Sequence, residues 1–154
     1  MCALKLSTDL KNYIVNQGIA KKMAGTMGTG GTCVLRIYNG VQPATADGPT
    51  SGTMVCEIIN IGWGGTGNAG TIGATGGTAI HSSGGPGYTG TAGSDGSAIW
   101  ARMETITTGY TGSAATMRID GSCGTGVDAT FVINVVNIEK GGYVTLLTAP
   151  ISVG

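Results

Sequence analysis

Charge is scarce in this chain: Asp, Glu, Lys and Arg together make up 10% of its 154 residues, against about 25% in an ordinary soluble domain. Eight basic residues cancel eight acidic ones, so there is no basic field of the kind that sequence-independent nucleic-acid binding requires. Nucleic acid is therefore not an expected partner. Few acids and bases leave little material for catalysis, and the single histidine, His81, leaves histidine-based metal or triad chemistry short of partners. No apolar run approaches the roughly 20 residues that span a bilayer, and the N-terminus has no charged stretch leading into an apolar one and a cleavage site. The expectation is a chain made in the cytosol, with no membrane partner. Cys2, Cys33, Cys56 and Cys123 are widely spaced, with no Cys-x-x-Cys pair and no sequon nearby. Without a secretory signal they read as four free, mostly buried thiols.

What is abundant is glycine, 30 residues of it, and fourteen of the thirty-six positions from Gly62 to Ser97 are glycine. Asp95 is the one formal charge in that stretch. Glycine has no side-chain chemistry and loses the most backbone entropy on ordering, so such a run is either disordered or held against something large. Simple disorder of the whole chain is a poor fit, because hydrophobic residues reach 41% and the mean hydropathy is +0.22. The length fits one domain, residues 1–154, carrying residues 62–97 as one long Gly/Thr-rich insertion loop. A neutral, weakly charged surface has little self-repulsion and favours association.

The segment from Ser7 to about Ala24 is the one convincing helix, within a helical arm over residues 1–25. Ser7 or Thr8 can cap it, Asp9 lies in the first turn where the helix dipole favours an anion, and Gly25 can end it. Leu6, Leu10, Tyr13 and Ile14 lie near one face, while Gly18 weakens the middle by up to about 1 kcal/mol. Such a helix holds its shape best against a partner. Lys5, Lys11, Lys21 and Lys22 face only Asp9 here, which reads either as a solvated face or as a docking surface for an acidic protein shell.

Beyond Gly31 the chain reads as strands and turns. TCVLRIY (32–38) alternates and ends at Asn39-Gly40, a pair that accepts positive φ. Further strands are expected over Thr53–Ile61 and over Ala98–Ile106, with Ile99, Ala101 and Met103 on one face and Trp100, Arg102 and Glu104 on the other. A short strand follows over Thr116–Asp120, then a long hairpin of Thr130–Ile138 and Tyr143–Leu147 about Glu139-Lys140-Gly141-Gly142. The fold class is mainly β, an antiparallel, jelly-roll-like sandwich with one N-terminal helix.

Three motifs tempt a chemical reading. Gly65-Thr66-Gly67-Asn68-Ala69-Gly70 has the spacing of a dinucleotide fingerprint, but its third glycine must open a helix, and residues 71–77 are a very poor one. His81 stands beside Ser82 and Ser83 without an orienting third group, which reads as chance adjacency. Asp120 and Asp128, with Glu57 or Glu104, could pair or hold Ca²⁺, yet the glycine-rich continuation lacks further acidic ligands, so Asp120-Gly121 reads as a turn. No cofactor or metal is expected. Trp63, Tyr88 and Tyr110 stand among glycines and threonines, where an aromatic ring is either an interface anchor or a lone core anchor.

Four stretches together resemble a group of small virion proteins of tailed bacteriophages: ALKLSTDLKNYIV (3–15), LRIYNGVQPATADGPTSGTMVCE (35–57), IWARMET (99–105) and MRIDGSCGTGVDATFVINVVNIEKGGYVTL (117–146). The LRIYNG and QPATAD pieces are the most specific. Residues 62–97 depart from the shorter link the resemblance implies between the second and third stretches. The resemblance implies a virion structural protein and no enzyme. The expectation is a capsid decoration or cement subunit on the capsid surface, binding the major capsid protein and its own copies as a homotrimer, with Trp63, Tyr88, Tyr110, Lys21 and Lys22 at interfaces. The alternative is a tail, baseplate or head-fibre component whose aromatics touch host surface glycans. A small hydrolase would rest on His81 and scattered carboxylates alone.

Overall fold

The computed structural model describes residues 32–61, 70–75, 78–83, 88–106 and 118–152. The helical arm expected over residues 1–25 lies outside them, and among the described residues there is no helix.

The first strand begins where alternation predicts it. β1 (Thr32–Tyr38) pairs antiparallel with β2 (Met54–Ile61) on one side and, further along the chain, with β7 (Trp100–Ile106) on the other. Cys33, Leu35 and Ile37 point inward with Ala101 and Met103 of β7, and all five are buried. Register shifts between Cys33 and Leu35 and between Ile37 and Tyr38 bend the β1–β2 ladder. β8 (Arg118–Gly124) follows β7 antiparallel, then β9 (Phe131–Ile133) joins β8 in parallel, through Cys123–Phe131 and Gly124–Val132. β11 (Tyr143–Ser152) pairs with β9 on one edge. Its other edge takes β5 (Tyr88–Thr91) along the first half and β4 (Thr78–Ser83) along the second, and β3 (Gly70–Thr75) pairs with β4 as the last strand of the sheet. β6 (Gly96–Ser97) and β10 (Asn137–Ile138) form a separate two-stranded ribbon.

The sheet nearly closes on itself. Just past β5, Ala92 bridges Cys56 of β2, the Gly93 N–H donates to the Val55 carbonyl at 3.0 Å, and the Ser94 hydroxyl donates to the Met54 carbonyl at 2.9 Å. At Gly90 the backbone passes so close to β2 that a Cβ would lie 2.3 Å from the Glu57 carbonyl oxygen. Inside this seam Leu35, Ile37, Ile58, Met103, Phe131, Ile133 and Leu146 are fully buried, each worth roughly 1.5–3 kcal/mol relative to exposure.

Three expectations change here. The sequence predicts an antiparallel, jelly-roll-like sandwich; the described residues instead form a nearly closed mixed sheet with one parallel pair, although the mainly β class holds. The insertion loop expected over residues 62–97 carries β3, β4, β5 and β6, because paired backbones satisfy one another's N–H and C=O groups whatever the side chains. Asp120-Gly121, read as a turn, lies inside β8. Parallel strands ordinarily need a connection of a dozen or more residues, yet residues 125–130 suffice. The chain doubles back so that the Thr130 N–H donates to the Ser122 hydroxyl at 3.0 Å, and a Cβ on Gly121 would lie 2.5 Å from Thr130 Cβ. Glycine at 121 is what lets the link lie flat on its own strand.

Candidate functional site

Strand alternation gives β1, β7 and β8 a second, outward face, and the chain's charge collects on it. Arg36, Arg102 and Arg118 are all the arginines in the sequence, and the register brings them together. Glu57, Arg36, Arg102 and Asp120 stand opposite one another in a row across β2, β1, β7 and β8. One step along, Glu104 stands opposite Arg118, and in the other direction Tyr38, Trp100 and Ser122 form the next row.

Two guanidinium groups directly opposite each other, Arg36 and Arg102, repel unless carboxylates flank them. Here they do. Arg102 donates from Nε and Nη2 to both oxygens of Asp120, at 2.8 and 2.7 Å, and the two side chains are only 4% exposed. Arg36 donates from Nε to Glu57 at 2.7 Å and from Nη1 to Glu104. The Asp120 bond, outweighing burial, holds the Arg102 guanidinium above its ordinary pKa. Burial works against the charge on Arg36, but the Glu57 bond and the field of Glu104 prevail and its pKa is raised as well. Tyr38 stacks on Trp100 with ring centroids 4.5 Å apart and planes 13° from parallel, and the Arg102 guanidinium lies 5.8 Å from the Trp100 ring centre. Burial pushes the Tyr38 phenol up.

Above this face arches the loop of residues 39–53. Its ends are tied together, the Asn39 N–H donating to the Thr53 carbonyl at 3.1 Å and the Thr53 N–H to Asn39 Oδ1 at 2.7 Å, and the Ser51 hydroxyl bonds the Val41 carbonyl. Gly52, at a φ of 80°, sits where a Cβ would collide with the Asn39 carbonyl, so this neck requires glycine. Between loop and sheet lies a cavity of about 560 Å³. Arg36, Tyr38, Arg102, Glu104 and Arg118 form its floor, and Asp47, Gly48, Pro49 and Thr50 its rim. Arg118 is the least engaged of the three arginines: its Nε lies 3.4 Å from Glu104, is buried, and has no hydrogen-bond partner.

Chemically, the cluster offers planar cationic forks flanked by carboxylates. Of the four carboxylates read as a pair or a Ca²⁺ site, Glu57, Glu104 and Asp120 each contact a guanidinium, while Asp128 is exposed in the link between β8 and β9. Among the described residues no group of His, Cys, Asp and Glu could hold a metal ion. Gly70, third glycine of the fingerprint spacing, begins β3 where a dinucleotide site needs a helix. His81, Ser82 and Ser83 are consecutive in β4. The Cys33, Cys56 and Cys123 thiols are free and buried, as expected, and Cys2 lies outside the described residues.

Of the five interface residues drawn from the sequence, one, Tyr88, is described. Trp63, Tyr110, Lys21 and Lys22 lie outside the described residues, and Tyr88, half-buried in β5, packs against the hydrophobic core. Arg36, Arg118, Tyr38 and the stack on Trp100 were not among them. For all but Arg118 a signal lies in two strands: WARMETI puts Trp100, Arg102 and Glu104 on a single face, and TCVLRIY does the same for Arg36 and Tyr38. Comparison with family models, with curated proteins and with solved structures finds no match for this chain.

Proposed function

We propose that this chain is a structural protein of a tailed-phage virion, a decoration subunit that binds and stabilises the assembled head. The observation that carries the reading is the end of the sheet. The β4–β3 hairpin extends β11 beyond the seam, and among the described residues β3 is hydrogen-bonded along one edge only. An edge of this kind binds a neighbouring strand through main-chain hydrogen bonds, which need no charge and repeat around a symmetry axis. The strand lies in the glycine-rich stretch, where small residues let another backbone approach. The resemblance of the four sequence stretches, and three arginines held in internal ion pairs, support the same reading. In this reading the major capsid protein is the partner, copies of the chain meet as a trimer, and the mature location is the capsid surface.

The test is reconstitution. Purified protein is mixed with shells lacking it, the shells are sedimented, and bound copies per shell and shell melting temperature are recorded. Saturable binding with a raised melting temperature is expected, the copy number identifying the symmetry sites. Protein that stays in the supernatant overturns the reading. A second reading, a tail, baseplate or head-fibre part that contacts host surface glycans, is favoured by the cavity under loop 39–53. It predicts retention on host polysaccharide instead of on shells.

A further inference from the structure

We propose that the cavity beneath loop 39–53 is a carboxylate-binding site with Arg118 as its principal donor. The three arginines are engaged unequally. Asp120 occupies Arg102 in bidentate fashion, and Arg36 takes Glu57 together with one oxygen of Glu104. Arg118 is left with the other Glu104 oxygen at 3.4 Å, too long for a good hydrogen bond. A guanidinium carries five N–H donors in a planar fork that matches the two oxygens of a carboxylate. A buried donor without a partner is unfavourable; Arg118 Nε is such a donor, and Arg118 lines a cavity large enough for a small molecule.

The rim fixes the class of ligand further. Asp47 and Glu104 disfavour a multiply charged anion such as phosphate, whereas one carboxylate adds a single charge and matches the fork. The exposed Asp47 and Thr50 can accept and donate hydrogen bonds to hydroxyl groups beside that carboxylate, and Pro49 supplies an apolar wall. A free short-chain carboxylate and a carboxylated sugar share this chemistry. Nearby negative charge keeps binding weak, in the millimolar range. The site is independent of the assembly reading: it makes no use of β3 and is tested without shells.

All three arginines face this cavity, so the arginine Nε–H signals in a nitrogen-edited NMR spectrum of the intact protein report on it directly. The protein is titrated at constant ionic strength with sodium acetate, sodium glucuronate, sodium phosphate and sodium chloride. Expected is a saturable shift of the Arg118 signal with acetate and glucuronate, smaller shifts for Arg36 and Arg102, and none that saturates with chloride. Glucuronate saturating at a concentration tenfold lower than acetate identifies the sugar ring as part of the ligand; equal saturation identifies the carboxylate alone. Arg118→Lys, which keeps charge but loses the fork, is expected to weaken acetate binding at least tenfold while the Arg36 and Arg102 signals stay dispersed. Responses to acetate and chloride that coincide, tighter binding of phosphate than of acetate, or an undiminished response in Arg118→Lys would each overturn the proposal.

Discussion

Among the described residues, Arg102 and Asp120 carry the sharpest energetic consequence of any ion pair, because both are almost wholly removed from water and each is the other's main partner. Removing one charge leaves the other desolvated and alone, which typically costs about 3–5 kcal/mol. Asp120→Asn is therefore expected to lower the unfolding free energy by that much, read as a lower urea midpoint at unchanged slope. The Arg36–Glu57 pair, about a third exposed on each side, is screened, and Glu57→Gln is expected to cost no more than about 1 kcal/mol. Equal losses in the two variants would refute this ranking. The cluster could not be assembled from the sequence because its meaning lies between strands. Alternation places Trp100, Arg102 and Glu104 on one face, but nothing in WARMETI states that Arg102 stands opposite Arg36 and Asp120. The Asp-Gly dipeptide pointed the other way, since it usually marks a turn.

Strands with strong alternation were the readable part. β1 runs over the seven residues expected, β2 and β7 start one and two residues later than expected, and β11 starts at Tyr143 as expected and runs on to Ser152. β8 was cut short at Asp120 because Gly121 reads as a breaker, whereas its missing side chain is the space that Thr130 fills. β3 to β6 were hidden by composition: glycine and threonine carry no apolar pattern, so pairing there is decided by what lies alongside. The seam between β5 and β2 depends on one such glycine. Gly90→Ala would drive a Cβ into the Glu57 carbonyl, and backbone, unlike a flexible side chain, cannot swing aside. The variant is expected to part the seam, seen in hydrogen exchange as lost protection of the Gly93 amide while amides of the β1–β7 ladder keep theirs. Uniform loss across both would mean that the seam and the ladder open as one unit.

For the molecule as a whole, the buried thiols set a limit on alkaline stability. Burial pushes Cys33 and Cys123 up to about 12 and Cys56 to about 11, against 9.0 for a free thiol. Below pH 9 both folded and unfolded states keep these protons, so the thiols contribute no pH dependence. Between pH 9 and about 11 the unfolded chain gives them up while the folded one holds them, and stability falls as pH rises, by up to about 1.4 kcal/mol per pH unit for each thiol. Urea melts at pH 7, 8 and 10.5 check this: the midpoint is expected to hold over the first interval and drop over the second, less steeply in Cys123→Ala. A midpoint that falls equally in that variant would assign the loss to other groups.

The gathering of every arginine onto one covered face also governs how the molecule meets a protease that cuts after basic residues. Among the described residues such a cut has four addresses, Arg36, Arg102, Arg118 and Lys140. The three arginines lie within β1, β7 and β8 with their side chains committed to the cluster, and an enzyme must draw the strand out to reach them. Lys140 is exposed in the turn before β11, next to Gly141 at a φ of 83°. Cleavage there would sever β11 from the preceding chain without releasing it, because β5, β9 and β4 still hold it by hydrogen bonds on both edges. A nicked sheet of this kind keeps its shape with two chain ends where the turn had been, and that turn is the natural place to open the chain or to add to it.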